Sequence, residues 1–205
     1  MFITFEGVDG CGKTTQVAML AEALAAAPAE AGVPLVVREP GGTVAAERIR
    51  GLLADPEVAL EPVAELLLFG AARADLVRRE IEPALAAGRT VICDRFTDST
   101  LAYQGAARGL GADTVSSLNR IATGGRRPDL TLYLRVDPAT ALARAAGGDR
   151  FESEGLDFQV AVARAYDEIA AAEPERIAII DAAGTPEQVH DSILTRLAEA
   201  GGGGR

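Results

Sequence analysis

The run Gly7-Val8-Asp9-Gly10-Cys11-Gly12-Lys13-Thr14-Thr15 decides how the rest of the chain is read. It matches the spacing G-x-x-x-x-G-K-[ST], follows the apolar stretch Phe2-Ile3-Thr4-Phe5 and precedes a helical pattern from Gln16 to Ala27. In such a loop the glycines let the backbone turn until its N–H groups converge on phosphate oxygens, and the following helix offers its positive end to the same anion. Lys13 then reaches the β and γ phosphates of a nucleotide, and the Thr14 hydroxyl sits on Mg²⁺. Lys13 is also the one lysine in the chain, every other basic side chain being arginine. A compact ammonium stands where one is wanted.

Working outward, five short apolar runs read as strands: Phe2 to Phe5, Leu35 to Arg38, Thr90 to Cys93, Leu130 to Val136 and Ile177 to Ile180. Helical patterns alternate with them over Gln16 to Ala27, Glu61 to Ala87 with a break expected at Pro83, Asp113 to Thr123, Leu156 to Ala172 and Pro186 to Ala200. This alternation predicts an α/β fold, a five-stranded parallel sheet with helices on both faces. Ligands bind beyond the carboxyl ends of such strands, which is where the remaining chemistry is sought.

The 205 residues are read as one domain over 1–200, with Gly201 to Arg205 as a frayed tail. A net charge of −10 argues against a broad basic surface for nucleic acid or membrane, so anionic ligands must be held by local clusters. Cys11 and Cys93 are too few for a disulfide framework or a zinc site. The amino-terminal stretch shows no basic segment or long apolar run, which predicts a cytoplasmic protein without a membrane span. His190 is the sole histidine and falls in an amphipathic late helix, away from any acid–base role.

Several stretches near strand ends carry candidate chemistry, each with a structural alternative. Arg38-Glu39-Pro40-Gly41-Gly42-Thr43 is either a turn or a loop whose Arg38 faces the ligand crevice. Phe69 and Arg73 share one side of a helix, as a core ring beside a solvated guanidinium, or as a ring stacked on a base that the guanidinium hydrogen-bonds. Asp94-Arg95-Phe96 closes the third strand. Asp94 is placed to hold Mg²⁺ or its waters and Arg95 to grip a phosphate, the alternative being a structural ion pair. Ser99, Thr100, Tyr103 and Gln104 supply hydroxyl and amide groups fit to line a polar base and sugar. Residues 145–155, with paired glycines at one end and Gly155 at the other, read as a mobile lid carrying Arg150, with Arg144 just before it, or as an exposed loop.

Taken together these stretches resemble thymidylate kinase, a nucleoside monophosphate kinase with a phosphate-loop NTPase architecture. The resemblance covers Phe2 through about Asp181 and includes Arg127-Pro128-Asp129 and Arg150-Phe151-Glu152 as well as the runs above. It implies ATP and Mg²⁺ as cofactors, dTMP as partner and a homodimer. It further implies that Phe69 stacks on thymine, that Arg73 and Thr100 contact the base, that Tyr103 lies near the sugar, and that Arg95 holds the dTMP phosphate. Asp9 would sit near the acceptor's sugar hydroxyl and the metal, with Thr14 and Asp94 as the other metal-side groups. The phosphate loop contains no arginine, so the chain looks like the bacterial type, in which a lid arginine, here Arg150, approaches the transferring group. The lid has fewer arginines than that type usually shows, which leaves the division of labour between Arg144 and Arg150 open.

The expected reaction is ATP-dependent phosphorylation of dTMP. A deoxynucleoside kinase, with Glu6 as a base, and a nucleotide-dependent switch are the competing classes. Against the switch, no N-K-x-D guanine-reading motif is present, and no second lysine from which to build one.

Overall fold

The computed structural model describes residues 1–26, 32–144 and 154–202. Ala27, at the end of the first predicted helix, lies outside them, as does most of the predicted lid with Arg150, Phe151 and Glu152. The strands are β1 (Phe2–Glu6), β2 (Leu35–Arg38), β3 (Val91–Asp94), β4 (Leu130–Arg135) and β5 (Ile177–Asp181). They form one parallel sheet in the order β2-β3-β1-β4-β5.

β1 is buried along its whole length, as expected of a strand covered on both faces. Successive side chains serve opposite faces. Phe2, Val91 and Cys93 join one apolar cluster with Leu76, Val77 and Ile81, whereas Ile3, Phe5 and Ile92 join another with Leu20, Val162 and Ile193. Helices α1 (Lys13–Ala26), α2 (Val44–Ala54), α3 (Pro62–Leu76), α4 (Glu82–Ala86), α5 (Thr97–Thr100), α6 (Ala112–Thr123), α7 (Pro138–Arg144), α8 (Leu156–Ala172) and α9 (Pro186–Gly202) complete the chain. Among the described residues no helix is long and apolar enough to cross a membrane.

Two predicted features need correction. The expected break at Pro83 is absent: α3 runs through a π-helical turn, Val77–Ile81, directly into α4. Glu82 donates its N–H to the Val77 carbonyl, five residues back. Proline has no N–H and its ring crowds the carbonyl four residues earlier, so a widened turn before it takes up the mismatch. Second, the sequence reading had no helix at 44–54, 97–107 or 138–144. Leu101–Ala107 is a second π-helical stretch, continuing α5. Its polar residues Tyr103 and Gln104, like Ser99 and Thr100 before them, face inward, so no apolar stripe marked it as helical.

Strand register sets the site. Phe5 pairs with Asp94, and Arg38 also pairs with Asp94, so the carboxyl ends of β1, β2 and β3 lie side by side.

Candidate active site

The loop after β1 enters α1 at Lys13. Gly7 has φ 141°, and a Cβ there would meet the Leu134 carbonyl oxygen at 2.7 Å and the Cys11 Sγ at 2.8 Å. No side chain fits that position. Lys13 folds back over the loop, its Nζ donating to the carbonyls of Gly7 at 3.1 Å and Val8 at 2.9 Å. A cleft of about 1040 Å³ opens above and is lined by Asp9, Gly10, Cys11, Gly12, Lys13, Thr14 and Thr15. Arg38, Arg50, Arg95 and Arg144 also line it, so five basic side chains gather here in a chain of net charge −10. Arg144 donates to the Ala182 carbonyl at 3.1 Å, while Arg38 pairs at the surface with Glu47 at 3.1 Å. The Thr14 hydroxyl donates to the Asp94 carboxylate at 3.1 Å.

A narrower slot of about 120 Å³ adjoins the cleft and is lined by Phe69, Arg73, Ser99, Thr100, Tyr103 and Gln104. Asp9, Glu39, Arg50 and Arg95 belong to both cavities. Every site residue predicted from the sequence that is described here, other than Gly7 and Val8, therefore lines one cavity or the other. Gly7 and Val8 lie beneath, as acceptors of the Lys13 ammonium.

Arg73 is 1% exposed, so the solvated guanidinium of the structural alternative is not what forms. Its Nε donates to Glu39 at 2.7 Å, Nη1 to Thr100 at 3.1 Å and Asn119 at 2.6 Å, and Nη2 to the Phe96 carbonyl at 2.9 Å. Burial pushes the Glu39 carboxyl up to about 7 against the pull of Arg73. The other Glu39 oxygen, Oε1, has no hydrogen-bond partner among the described residues, and Glu39 lines both cavities. Gln104 donates its amide to Glu65 at 2.7 Å, so that group is engaged in a buried pair.

Arg95 joins the two cavities. Its φ is 70°, the one positive value at a non-glycine among the described residues. The guanidinium pairs with Asp9 at 2.5 Å, donates to the Gly7 carbonyl at 3.0 Å and to Ser99 at 3.1 Å, and lies 5.0 Å from the Tyr103 ring centroid. Asp9 also accepts from Tyr103 at 2.8 Å and from Gln159 at 3.4 Å. Burial opposes ionisation of Asp9, but Arg95, Lys13 and these hydrogen bonds outweigh it and hold the carboxyl at about 2. Asp9 is thus directed to Arg95, and the Thr14–Asp94 pair forms separately from it.

Sequence reasoning missed Asn119, Gln159 and Tyr166 as partners of the site and gave Glu39 no role of its own. Nothing local marks them, because each acts across a long stretch of chain. Glu6, the base suggested for a deoxynucleoside kinase, is fully buried and its oxygens are occupied by Phe96 N–H, Ser99 and Tyr166. It lines neither cavity.

A family model described as Thymidylate kinase matches residues 5–193. The chain belongs to the thymidylate kinase family. It is 53% identical to the thymidylate kinase of Synechococcus sp. (strain JA-3-3Ab) over 191 residues, 92% of this chain and 91% of that one. It is 44% identical to the thymidylate kinase of Deinococcus radiodurans, covering 98% of each. The crystal structure of thymidylate kinase from Ehrlichia chaffeensis superposes with a TM-score of 0.81 at 35% identity, over 96% of this chain and 98% of that one. The thymidylate kinase fold is therefore this chain's fold, and its phosphate-loop cleft and slot are features of a kinase.

Proposed function

We propose that the chain transfers the γ-phosphoryl group of ATP to dTMP, giving dTDP, in deoxythymidine nucleotide synthesis. The observation that carries this reading is the shared wall of the two cavities. The phosphate-loop cleft and the slot containing Phe69 and Arg73 meet at Asp9 and Arg95. A triphosphate in one and a monophosphate entering from the other would present their phosphates to each other there.

The acceptor is a phosphate oxygen whose second pKa is near ~6, largely ionised at neutral pH. No strong general base is required, so the task is to bring two anions into line and offset their charge. Lys13 and the loop amides from Gly7 to Thr15 act on the donor, with Arg144 beside them. Arg150 is assigned to the transferring group, in a lid at 145–155 of the single kinase domain whose closure excludes water. Arg95 holds the acceptor phosphate, Asp9 fixes Arg95, and Arg38 lines the cleft near the strand ends. Phe69 stacks on thymine, Arg73 and Thr100 read its polar edge, and Tyr103, Ser99 and Gln104 complete the sugar side.

The Thr14 hydroxyl and Asp94 carboxylate are adjacent hard oxygen donors in the cleft, and Mg²⁺ needs only one or two carboxylates beside substrate phosphates. They fit that ion, with Asp9 nearby on the acceptor side. When bound, it supplies charge neutralisation on the transferring phosphates. A cytoplasmic homodimer completes the proposal. Exposed Val63 and Leu67 on α3 and Ile121 on α6 supply apolar surface on two helices that pack together.

The test is ADP release from ATP and Mg²⁺ with dTMP, dUMP, dCMP, dGMP, dAMP or thymidine as acceptor, beside a control without acceptor. Strong dependence on dTMP is expected. Preference for another monophosphate discards the roles of Phe69, Arg73 and Thr100, and release without an acceptor discards the kinase reading.

A further inference from the structure

Glu6 ends β1 and is completely buried, yet it forms no ion pair among the described residues. Its Oε1 accepts the Phe96 N–H at 2.7 Å, and its Oε2 accepts the Ser99 hydroxyl at 2.6 Å and the Tyr166 hydroxyl at 2.8 Å. All three donors touch Arg95 or its backbone. Phe96 N–H belongs to the peptide that follows Arg95, the residue held at φ 70°. Ser99 Oγ and Tyr166 Oη receive Arg95 Nη1 at 3.1 Å and 3.4 Å.

The polarity of this arrangement is dictated by the carboxylate. Glu6 Oε2 accepts from both hydroxyls, which also lie 2.8 Å from each other, so the two protons are shared within a closed Glu6–Ser99–Tyr166 cluster. Toward Arg95 both hydroxyl oxygens act as acceptors, because the guanidinium only donates. Glu6 thereby presents two oriented acceptors to Arg95 without contacting it, while its other oxygen fixes the peptide that sets the unusual backbone of that residue. Rings hold the hydroxyls in place: Tyr166 stacks on Tyr133 with centroids 5.2 Å apart and meets Tyr103 edge-on at 6.5 Å.

We propose that Glu6 is a positioning residue for the phosphoryl acceptor, acting through Ser99 and Tyr166 to hold Arg95 in its phosphate-binding geometry. The inference rests on the assignment of Arg95 to the acceptor phosphate made above. Its signature is selective. A disordered Arg95 weakens a ligand that carries a phosphate and spares the same ligand without one.

The experiment compares dTMP with thymidine by calorimetric titration, and KM for ATP, in the wild type, Glu6→Gln, Tyr166→Phe and Arg95→Met, with thermal unfolding of each. In Glu6→Gln the amide NH₂ donates where the carboxylate accepted, which reverses the hydroxyls toward Arg95. The expected result is about tenfold weaker dTMP binding, the scale of one spoiled buried hydrogen bond. KM for ATP should stay within about twofold, and thymidine, which meets the turned Ser99 hydroxyl but carries no phosphate for Arg95, should lose much less affinity than dTMP. Equal weakening of dTMP and thymidine would assign Glu6 a purely structural role and overturn the proposal, as would unchanged dTMP binding. Should Glu6→Gln fail to fold, Tyr166→Phe decides the matter by the same ratio: selective loss for dTMP supports the relay, and no loss overturns it. Arg95→Met separates the two layers of the argument. If it leaves the dTMP-to-thymidine ratio intact, the acceptor reading falls and this proposal with it. If it abolishes the ratio while Glu6→Gln and Tyr166→Phe do not change it, the proposal alone falls.

Discussion

The phosphate loop places its polar groups with backbone, from nine consecutive residues, whereas the adjoining slot places them with side chains drawn from separate parts of the chain. Gly7, Gly10 and Gly12 all have positive φ and carry nothing that must be packed. In the slot, Arg73 meets Glu39, Thr100 and Asn119, partners 34, 27 and 46 residues away in sequence. A backbone site folds with its own turn and leaves Lys13 resting on loop carbonyls, a weak arrangement from which a ligand can draw it. A side-chain site exists only once β1, the turn after β2, α3, α5 and α6 have assembled. Its residues consequently carry stability as well as recognition.

That contrast can be broken most directly at Arg73. Arg73→Ala leaves Glu39 buried without its cation, and the expected cost is about 3–5 kcal/mol of folding stability. Chemical denaturation reads the cost, and calorimetry on the folded fraction should show dTMP weakened far more than ATP. A fully stable variant would mean that the slot, like the loop, is only a binding surface. The opposite expectation holds for Lys13→Ala. Turnover should fall by about 10²–10³-fold, as for removal of one preorganised donor, with the melting temperature nearly unchanged. Near-normal turnover would remove Lys13 from the mechanism.

Asp9 sits at the join and should show a pH dependence that the loop lacks. Its carboxyl is held at about 2 when folded, against an ordinary value of 3.8. A depressed acid contributes stability that is present above the unfolded value and is lost as pH falls through the folded one. The contribution is about 2 kcal/mol above pH ~4 and fades toward pH ~2. Stability of the wild type minus that of Asp9→Asn, measured across this window, should shrink as the pH is lowered. A constant difference would show that Asp9 does not titrate as an ion pair with Arg95. At the edge of the cleft, Thr43 accepts from the Ala46 N–H at 3.1 Å and caps α2. Thr43→Ala should cost about 1 kcal/mol. The smallest effect is expected at Arg38, whose ion pair with Glu47 is exposed. Arg38→Ala should change stability by less than about 1 kcal/mol, so that any large loss of ATP or dTMP binding in that variant is due to direct contact.

Legibility in the sequence follows the same division. The phosphate loop was readable because its function is written in contiguous spacing. Phe69 with Arg73 was readable as a pair because four residues on a helix put both on one side. The helix at 97–107 was not, since its inward face is built of hydroxyls and an amide where a hydrophobic pattern was sought. The wide turn at Val77–Ile81 was likewise invisible, because Pro83 announces only that a regular helix is disturbed and leaves open whether it stops or widens.

By itself, the sequence determined the alternation of strands and helices, the parallel sheet, the phosphate loop and, through several short runs together, the family. These depend on local periodicity, on the backbone freedom of glycine and on fixed spacing along the chain. Tertiary structure alone decided that Arg73 is an enclosed guanidinium, that Glu39 keeps one oxygen without a partner among the described residues, and that Glu6 stands behind Arg95 through Ser99 and Tyr166. A buried polar group must find partners wherever the packed elements bring them, and sequence separation carries no record of that choice.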